Sequence, residues 1–278
     1  MKSNDRVNLR LLQSYKMWAE LDEVWHKHNT RSQAIARGDS AMNLDDEVSF
    51  MAMIADQTKK HKKVMMDRAK EAGPIFDWLV DIKGIADHTA AKLIALFDHP
   101  KHFRHPSAFH RFAGMGLYKY WVNENGYAMA PITGWKSTGK KDANGDTVYE
   151  YVEAVPEPGW TLKIHRDVSI KGWRLPYNQV IKNEMWVLRK NLVCAKSPVY
   201  YEEYIRYKAR KRIDLPDHTA RHIDNMGKRY LAKIFLTHFY IEWSTVEGLP
   251  VPMPYQLAHM GSGHAYVQPE KHVVKVEK

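Results

Sequence analysis

Apolar residues recur at spacings of three and four along most of this 278-residue chain, and the pattern breaks once, between Gly126 and Glu157. A helical period sustained over so much of a sequence dictates a mainly α fold, because each helix then carries one apolar stripe that must be buried. Residues 4–29 set Val7, Leu11, Leu12, Tyr15, Trp18, Leu21, Val24 and Trp25 on such a stripe. A polar turn from Thr30 to Ser40 leads to a second stripe through Val48, Met51, Ile54, Val64, Met65 and Ala69, with Lys59, Lys60, Lys62 and Lys63 on its later half, and Gly73-Pro74 ends it. The spacing predicts an N-terminal helical hairpin over 1–73, a core or docking element. Inside the break, TVYEYVEAV alternates apolar and polar residues, and Asn125-Gly126 and Asn144-Gly145 are turn signals. A small inserted β-hairpin or meander is expected over 126–159, closed by Pro156 and Pro158. Helical spacing resumes over Tyr177–Ala195, over Pro198–Arg212 behind Ser197 as cap, and over Asp217–Ser244 with Asp217 as cap. This gives a helical region over 160–247, and the proline-rich remainder, 248–278, is expected to drape over the helical body.

Charge is distributed unevenly over these parts. The chain carries a formal net charge of +10, yet residues 160–245 alone hold 17 Lys and Arg against 8 Asp and Glu. Nine of the ten excess charges therefore lie in one helical stretch, which is the footprint of a polyanionic partner. Nucleic acid is the expected one, since phosphate neutralisation releases counterions and dominates affinity. A single cysteine, Cys194, excludes a disulfide framework and a multi-cysteine zinc site. No run of about 18 apolar residues predicts a membrane span, and the start MKSNDRVNLRLLQS has no apolar leader, so a cytoplasmic protein with no membrane partner is expected.

Residues 74–125 contain the most specific local pattern. In IFDWLVDIKGIADHTAAKLIALF a short apolar helix meets Lys83-Gly84-Ile85-Ala86, and a second helix opens at Asp87 through His88, Thr89 and Ala90. A glycine at this point permits a tight turn and close backbone approach, while the amides opening the second helix face outward as anion ligands. An ordinary helical hairpin, with Gly84 serving only to end a helix, is the structural alternative. Downstream, His99, His102, His105 and His110 accompany Lys101, Arg104 and Arg111 without a ligand-pair spacing or cysteine partners. They read as a solvated basic turn, with Ser107 capping the helix that follows. His218 and His222, four apart, lack a third ligand, so neither a metal nor any other cofactor is expected. Tyr200, Tyr204 and Tyr207 share one helix face with Lys211 and read as core, with a base-stacking platform as the alternative.

The order GIADHTAAKLIALF, HFRHPSAFHRFAGMGL and SIKGWRLPYNQVIKNEMW resembles the C-terminal domain of insertion-sequence transposases of the "IS one-ten" (Piv-type) family, over about residues 76–122 and 165–245. Gly84, Ile85, Thr89, Ala90 and Leu93 match its helix-hairpin-helix; Phe103, Ser107, Ala113, Gly114, Ser169, Lys171 and Gly172 match the segments after it. Ala86 stands where the family often has a second glycine, and Asp87 adds a negative charge near the helix start. The resemblance implies a DNA-binding fold. It also implies an N-terminal RuvC-like nuclease domain with a DEDD acidic set and a catalytic serine, whereas the N-terminal acids here lie on helical patterns. Ser137, in Lys136-Ser137-Thr138-Gly139-Lys140, is nearest the family's nucleophile motif, and Ser169 comes second.

The expected function is binding of duplex DNA through backbone phosphates, without a nuclease of its own, as a homodimer or beside a partner recombinase. The expected contacts are Lys83, Gly84, Ile85, Ala86, His88 and Thr89 of the hairpin, Lys171 and Arg174, and the helix cluster Arg206, Lys208, Arg210, Lys211 and Arg212. The alternatives are a recombinase using Ser137 or Ser169 for strand transfer, and an RNA-binding or structural assembly protein.

Overall fold

A computed structural model describes residues 3–39, 44–165, 168–251, 253 and 266–273. The chain is mainly helical, with a small β portion, and divides into two compact units, residues 1–100 with 271–278 and residues 101–270. Among the described residues no helix is long and apolar enough to cross a membrane. Residues 1–2, 40–43, 166–167, 252, 254–265 and 274–278 lie outside the described residues, and most of the expected draped tail falls there.

The first unit contains α1 (Ser3–Ala36), α2 (Leu44–Lys70), α3 (Pro74–Asp81) and α4 (Asp87–Phe97). The helix α1 runs through most of the stretch expected as a turn, because Arg31, Gln33, Ala34 and Ala36 are good helix formers and tertiary packing lets them continue. It closes with Gly38 N bonded to Ile35 O and Asp39 N to Ala34 O. The antiparallel pairing of α1 and α2 is pinned at both ends: Arg68 donates to Arg10 O and Ser14 Oγ, while His28 Nδ1 lies 2.6 Å from Glu47 Oε1. Against this pair packs α4, whose small Ala90 and Ala91 let it sit close, with Leu93, Ile94 and Phe97 buried. The end of the chain returns to this unit, where Trp78 Nε1 donates to Lys271 O at 2.8 Å and Lys271 pairs with Asp81.

Four helices of the second unit, α5 (Pro106–Phe112), α6 (Gln179–Cys194), α7 (Pro198–Asp214) and α8 (Ala220–Val246), pack with α8 in the middle. The rings of Phe235, Phe239 and Trp243 stack along α8 at 5.9 and 5.1 Å, and Phe109 meets Phe239 at 5.5 Å. Each such buried ring contributes about 1.5–3 kcal/mol. Buried Tyr200 bonds His238 Nδ1 at 3.0 Å, and His238 Nε2 lies 2.7 Å from Val267 O. Since a carbonyl can only accept, Nε2 carries the ring proton and Nδ1 accepts from the tyrosine hydroxyl. Two expected caps are displaced. His105, not Ser107, caps α5 because Pro106 takes the first helical position, and Thr219, not Asp217, caps α8 by accepting from His222 N.

The β portion is larger than the expected insertion. Strands β1 (Tyr118–Val122), β2 (Ala128–Pro131) and β5 (Thr161–His165) form an antiparallel sheet in the order β2-β1-β5, and β3 (Thr133–Lys141) pairs with β4 (Thr147–Glu153) as a separate hairpin. Both turn signals hold, at Gly126 and Gly145. The boundary at 126 fails because β1 precedes it: Tyr118, Tyr120 and Val122 point into a small core while Lys119 faces out, a period of two hidden among neighbouring helical patterns. Likewise β5 begins inside the stretch expected as helical. The aromatic stripe of α7 is packing, with Tyr200 and Tyr204 buried and Tyr207 stacked on Tyr230 at 4.4 Å.

Candidate nucleic-acid interface

The helix-hairpin-helix residues fold as a turn between α3 and α4. Gly84 adopts φ +102°, a region that favours glycine, and buried Ile85 anchors the turn through its amide to Ile82 O at 3.0 Å. No side chain caps α4, and its first intrahelical bonds begin at Thr89 and Ala90, both to Ala86 O. The Gly84 and Asp87 amides have no intramolecular acceptor among the described residues, and Lys83, Ala86 and Asp87 are exposed beside them. His88 is half-buried and Thr89 is buried. These six hairpin positions therefore share one turn, in which Ile85 and Thr89 hold the geometry and Lys83, Gly84 and Ala86 face outward.

Replacing Gly84 by alanine is expected to cost about 1–2 kcal/mol of stability, since a Cβ at that φ is strained. Lys83→Ala should leave the melting temperature unchanged and lower the salt slope of DNA binding by about one. A thermal melt followed by a salt titration separates the two effects. Wild-type binding by both folded variants would reduce the turn to a structural element.

The charge cluster on α7 is not uniformly available. Arg206 pairs with Glu203, Lys211 with Asp214 at 2.8 Å, and Lys208 with Asp224 at 3.0 Å. Asp224 also accepts from Lys228 at 2.7 Å and from the Tyr204 hydroxyl. Partial burial acts to raise its pKa, but the hydrogen bonds from Lys228, Tyr204 and Lys208 outweigh it and hold the carboxyl well below the usual range. Arg210 and Arg212 are exposed and have no carboxylate partner among the described residues. Within the cluster expected from sequence, Arg210 and Arg212 are therefore the exposed cations without a carboxylate beside them; Arg206 is exposed but paired within α7, and Lys208 and Lys211 are drawn onto Asp224 and Asp214.

Lys171 and Arg174 occupy a loop tied to the β-hairpin. Ser137 N donates to Gly172 O and Arg174 N to Trp135 O, each at 2.7 Å, so residues 172–174 lie along β3. The structure thus brings Ser137 beside the segment that carries Lys171 and Arg174, although they are distant in sequence. Both cations are exposed, and neither bonds α7 among the described residues. The Ser137 hydroxyl accepts from Gly139 N at 3.2 Å, and Ser169 is exposed. Among the described residues neither serine is hydrogen-bonded to a titratable side chain that could take its proton.

The histidines of the expected solvated turn are partly structural. His99 is buried, His105 caps α5 through Ala108 N, and His110 Nε2 lies 3.1 Å from Thr237 Oγ1 on α8. Thr237 donates to Lys233 O, so His110 donates to Thr237. Desolvation, the nearby Lys233 charge and His105 lower the pKa of His110 to about 3, against a weaker opposing backbone bond. Among the described residues no three His, Cys, Asp or Glu side chains converge as metal ligands.

The sequence reading missed Arg111, Trp135, Tyr151 and Trp173, which gather around the same loop. For Trp135 and Tyr151 a signal was present as lysines and aromatics interleaved through 135–151, but the acidic balance of 126–159 obscured it, and Arg111 and Trp173 lie outside that stretch. No family model matches the chain, and no curated protein matches it.

Proposed function

We propose that the chain is a cytoplasmic DNA-binding protein akin to the C-terminal domain of "IS one-ten" transposases, gripping duplex phosphates and working with a partner that supplies the nuclease. The observation that carries this reading is the α3–α4 turn: glycine at φ +102°, amides at Gly84 and at Asp87 opening α4 with no acceptor among the described residues, and an exposed lysine alongside. Such a turn offers a phosphate two backbone donors and one charge. The exposed Arg210, Arg212, Lys171 and Arg174 add sequence-independent charge contacts.

Arg210→Gln with Arg212→Gln should weaken duplex binding about tenfold and lower the salt slope by about two, whereas Lys208→Gln with Lys211→Gln should change affinity little because those lysines already neutralise internal acids. Neutralising Lys59, Lys60, Lys62 and Lys63 should fall between them, as Lys60 is held by Asp56. Side-by-side titrations at one salt concentration rank the three sets. A reversed order of the first two would place the DNA elsewhere.

A second reading, strand transfer by Ser137, draws on the bridge that sets this serine against the Gly172–Arg174 segment. Nicking of supercoiled plasmid with Mg²⁺ that is lost in Ser137→Ala but kept in Ser169→Ala would favour it. The alternative of an RNA-binding or structural assembly protein would be favoured by an exposed tyrosine stripe on α7, and Tyr200 and Tyr204 of that stripe are buried.

A further inference from the structure

We propose that a cleft in the second unit, walled by Trp135, Tyr151 and Trp173 and flanked by Arg111 and Arg174, binds an unpaired base of single-stranded DNA. The choice of DNA as the strand rests on the function proposed above; the cleft itself stands on separate observations.

The first is shape. A cavity of about 240 Å³ lies between the β3–β4 hairpin and the 168–176 loop, floored by buried Tyr120. It falls below the roughly 300 Å³ at which pockets for drug-sized ligands begin, so it suits one ring system rather than an extended cofactor. A second cavity of about 470 Å³ is also lined by Trp135 and Arg174, leaving this tryptophan bordered by open space in both.

The second is the state of the rings. Trp135 is 47% exposed and Tyr151 61%, although they meet edge to face at 5.4 Å. Large aromatics left this open on a small two-stranded hairpin forgo the burial that ordinarily stabilises such an element, whereas a base stacked on them would restore it. Gly134 serves the same arrangement: a Cβ there would come within 3.3 Å of the Trp173 ring, so glycine lets that indole lie close against β3.

The third is charge. Arg111 and Arg174 are exposed, have no carboxylate partner among the described residues, and no acidic side chain among those residues lines the cleft. Lys136 Nζ lies 5.8 Å from the Trp173 ring centroid, adding a further cation at the rim. Arg111 lies over the Tyr118 ring at 5.4 Å, and aromatic faces beside arginines without carboxylate partners are the chemistry of single-strand binding, in which bases stack on rings and guanidinium groups hold the backbone. A duplex presents no free base face to such a cleft, so its rings select unpaired DNA, while Arg111 and Arg174 also serve the duplex as phosphate contacts.

The test uses the full chain with a fluorescein-labelled oligothymidylate of about twelve nucleotides, an oligouridylate and a duplex of the same length. Wild type should bind the thymidylate with quenching of tryptophan fluorescence. Trp135→Ala and Arg174→Gln should each weaken that binding about tenfold, Trp135→Phe should retain most of it, and Trp135→Ala should bind the duplex as wild type does. Tyr151→Ala, at a ring 61% exposed and in none of the proposed duplex contacts, should weaken thymidylate binding likewise and keeps the test decisive if Trp135→Ala loosens the hairpin in a thermal melt. Wild type that binds duplex but no single strand overturns the cleft and leaves the duplex reading intact. Cleft-dependent binding of thymidylate without duplex binding supports the cleft and removes the duplex reading. Equal thymidylate affinity in the folded variants overturns the proposal, as does a tenfold preference for oligouridylate, which would assign the cleft to RNA.

Discussion

Raising salt from about 50 to 200 mM is expected to lower the affinity for duplex DNA by about a thousandfold, as follows when about six phosphates are neutralised. Lys83, Lys171, Arg174, Arg210 and Arg212 are exposed cations without an internal carboxylate among the described residues, and Arg111 is a sixth. They are distributed over both units, so the slope reports how many act together. A titration read by anisotropy at four salt concentrations gives the slope directly. A slope near one would mean that a single cluster grips DNA while the other cations are solvated, and a flat response would overturn phosphate binding altogether. Sequence preference should be modest, because none of these side chains sits on a helix known to enter a groove.

Acid is expected to unfold the second unit through His110, with a loss of about 3 kcal/mol between pH 6.5 and 3. The folded pKa lies at about 3, against 6.5 for the free ring. Between those values the unfolded chain binds the proton and the folded chain resists it. Stability from this group is therefore fully present above pH 6.5 and is lost as pH falls through the folded value. A shift of this size would correspond to nearly 5 kcal/mol for a wholly enclosed ring, but His110 keeps an edge to solvent, which reduces the loss. Urea denaturation at pH 7, 5 and 4 should show His110→Gln less stable than wild type at pH 7, where the bond to Thr237 is disturbed, but flatter with pH. Parallel pH profiles for the two proteins would remove His110 as the acid-sensitive group.

The α3–α4 turn was legible because local rules control it. A glycine between two apolar helical runs, with Thr89-Ala90-Ala91 opening the second, sets the turn through backbone sterics that need no distant partner. The small residues that let α4 pack are read in the same way. By contrast, the strand β1 was missed because Tyr118 to Val122 offers only five residues of alternation, and its strand character depends on β2 and β5 to complete the ladder. The caps of α5 and α8 moved by two residues for a similar reason, as several polar residues near each start compete and the approach of the chain selects one.

By itself the sequence determined the mainly helical class, both β-turns, the glycine turn before α4 and the concentration of positive charge after residue 160, all of which depend on neighbours within a few positions or on simple counting. Only the tertiary structure decided that Asp224 reaches Lys208 from another helix, whereas the pairs Arg206–Glu203 and Lys211–Asp214 follow from spacings of three within one helix. It alone also decided that Arg174 joins Trp135 and Arg111 around a cleft, since β pairing links residues 135 and 174 across an intervening hairpin and strand. Ion pairs between elements, and pockets, arise from distances in space that sequence separation does not encode until the chain has packed.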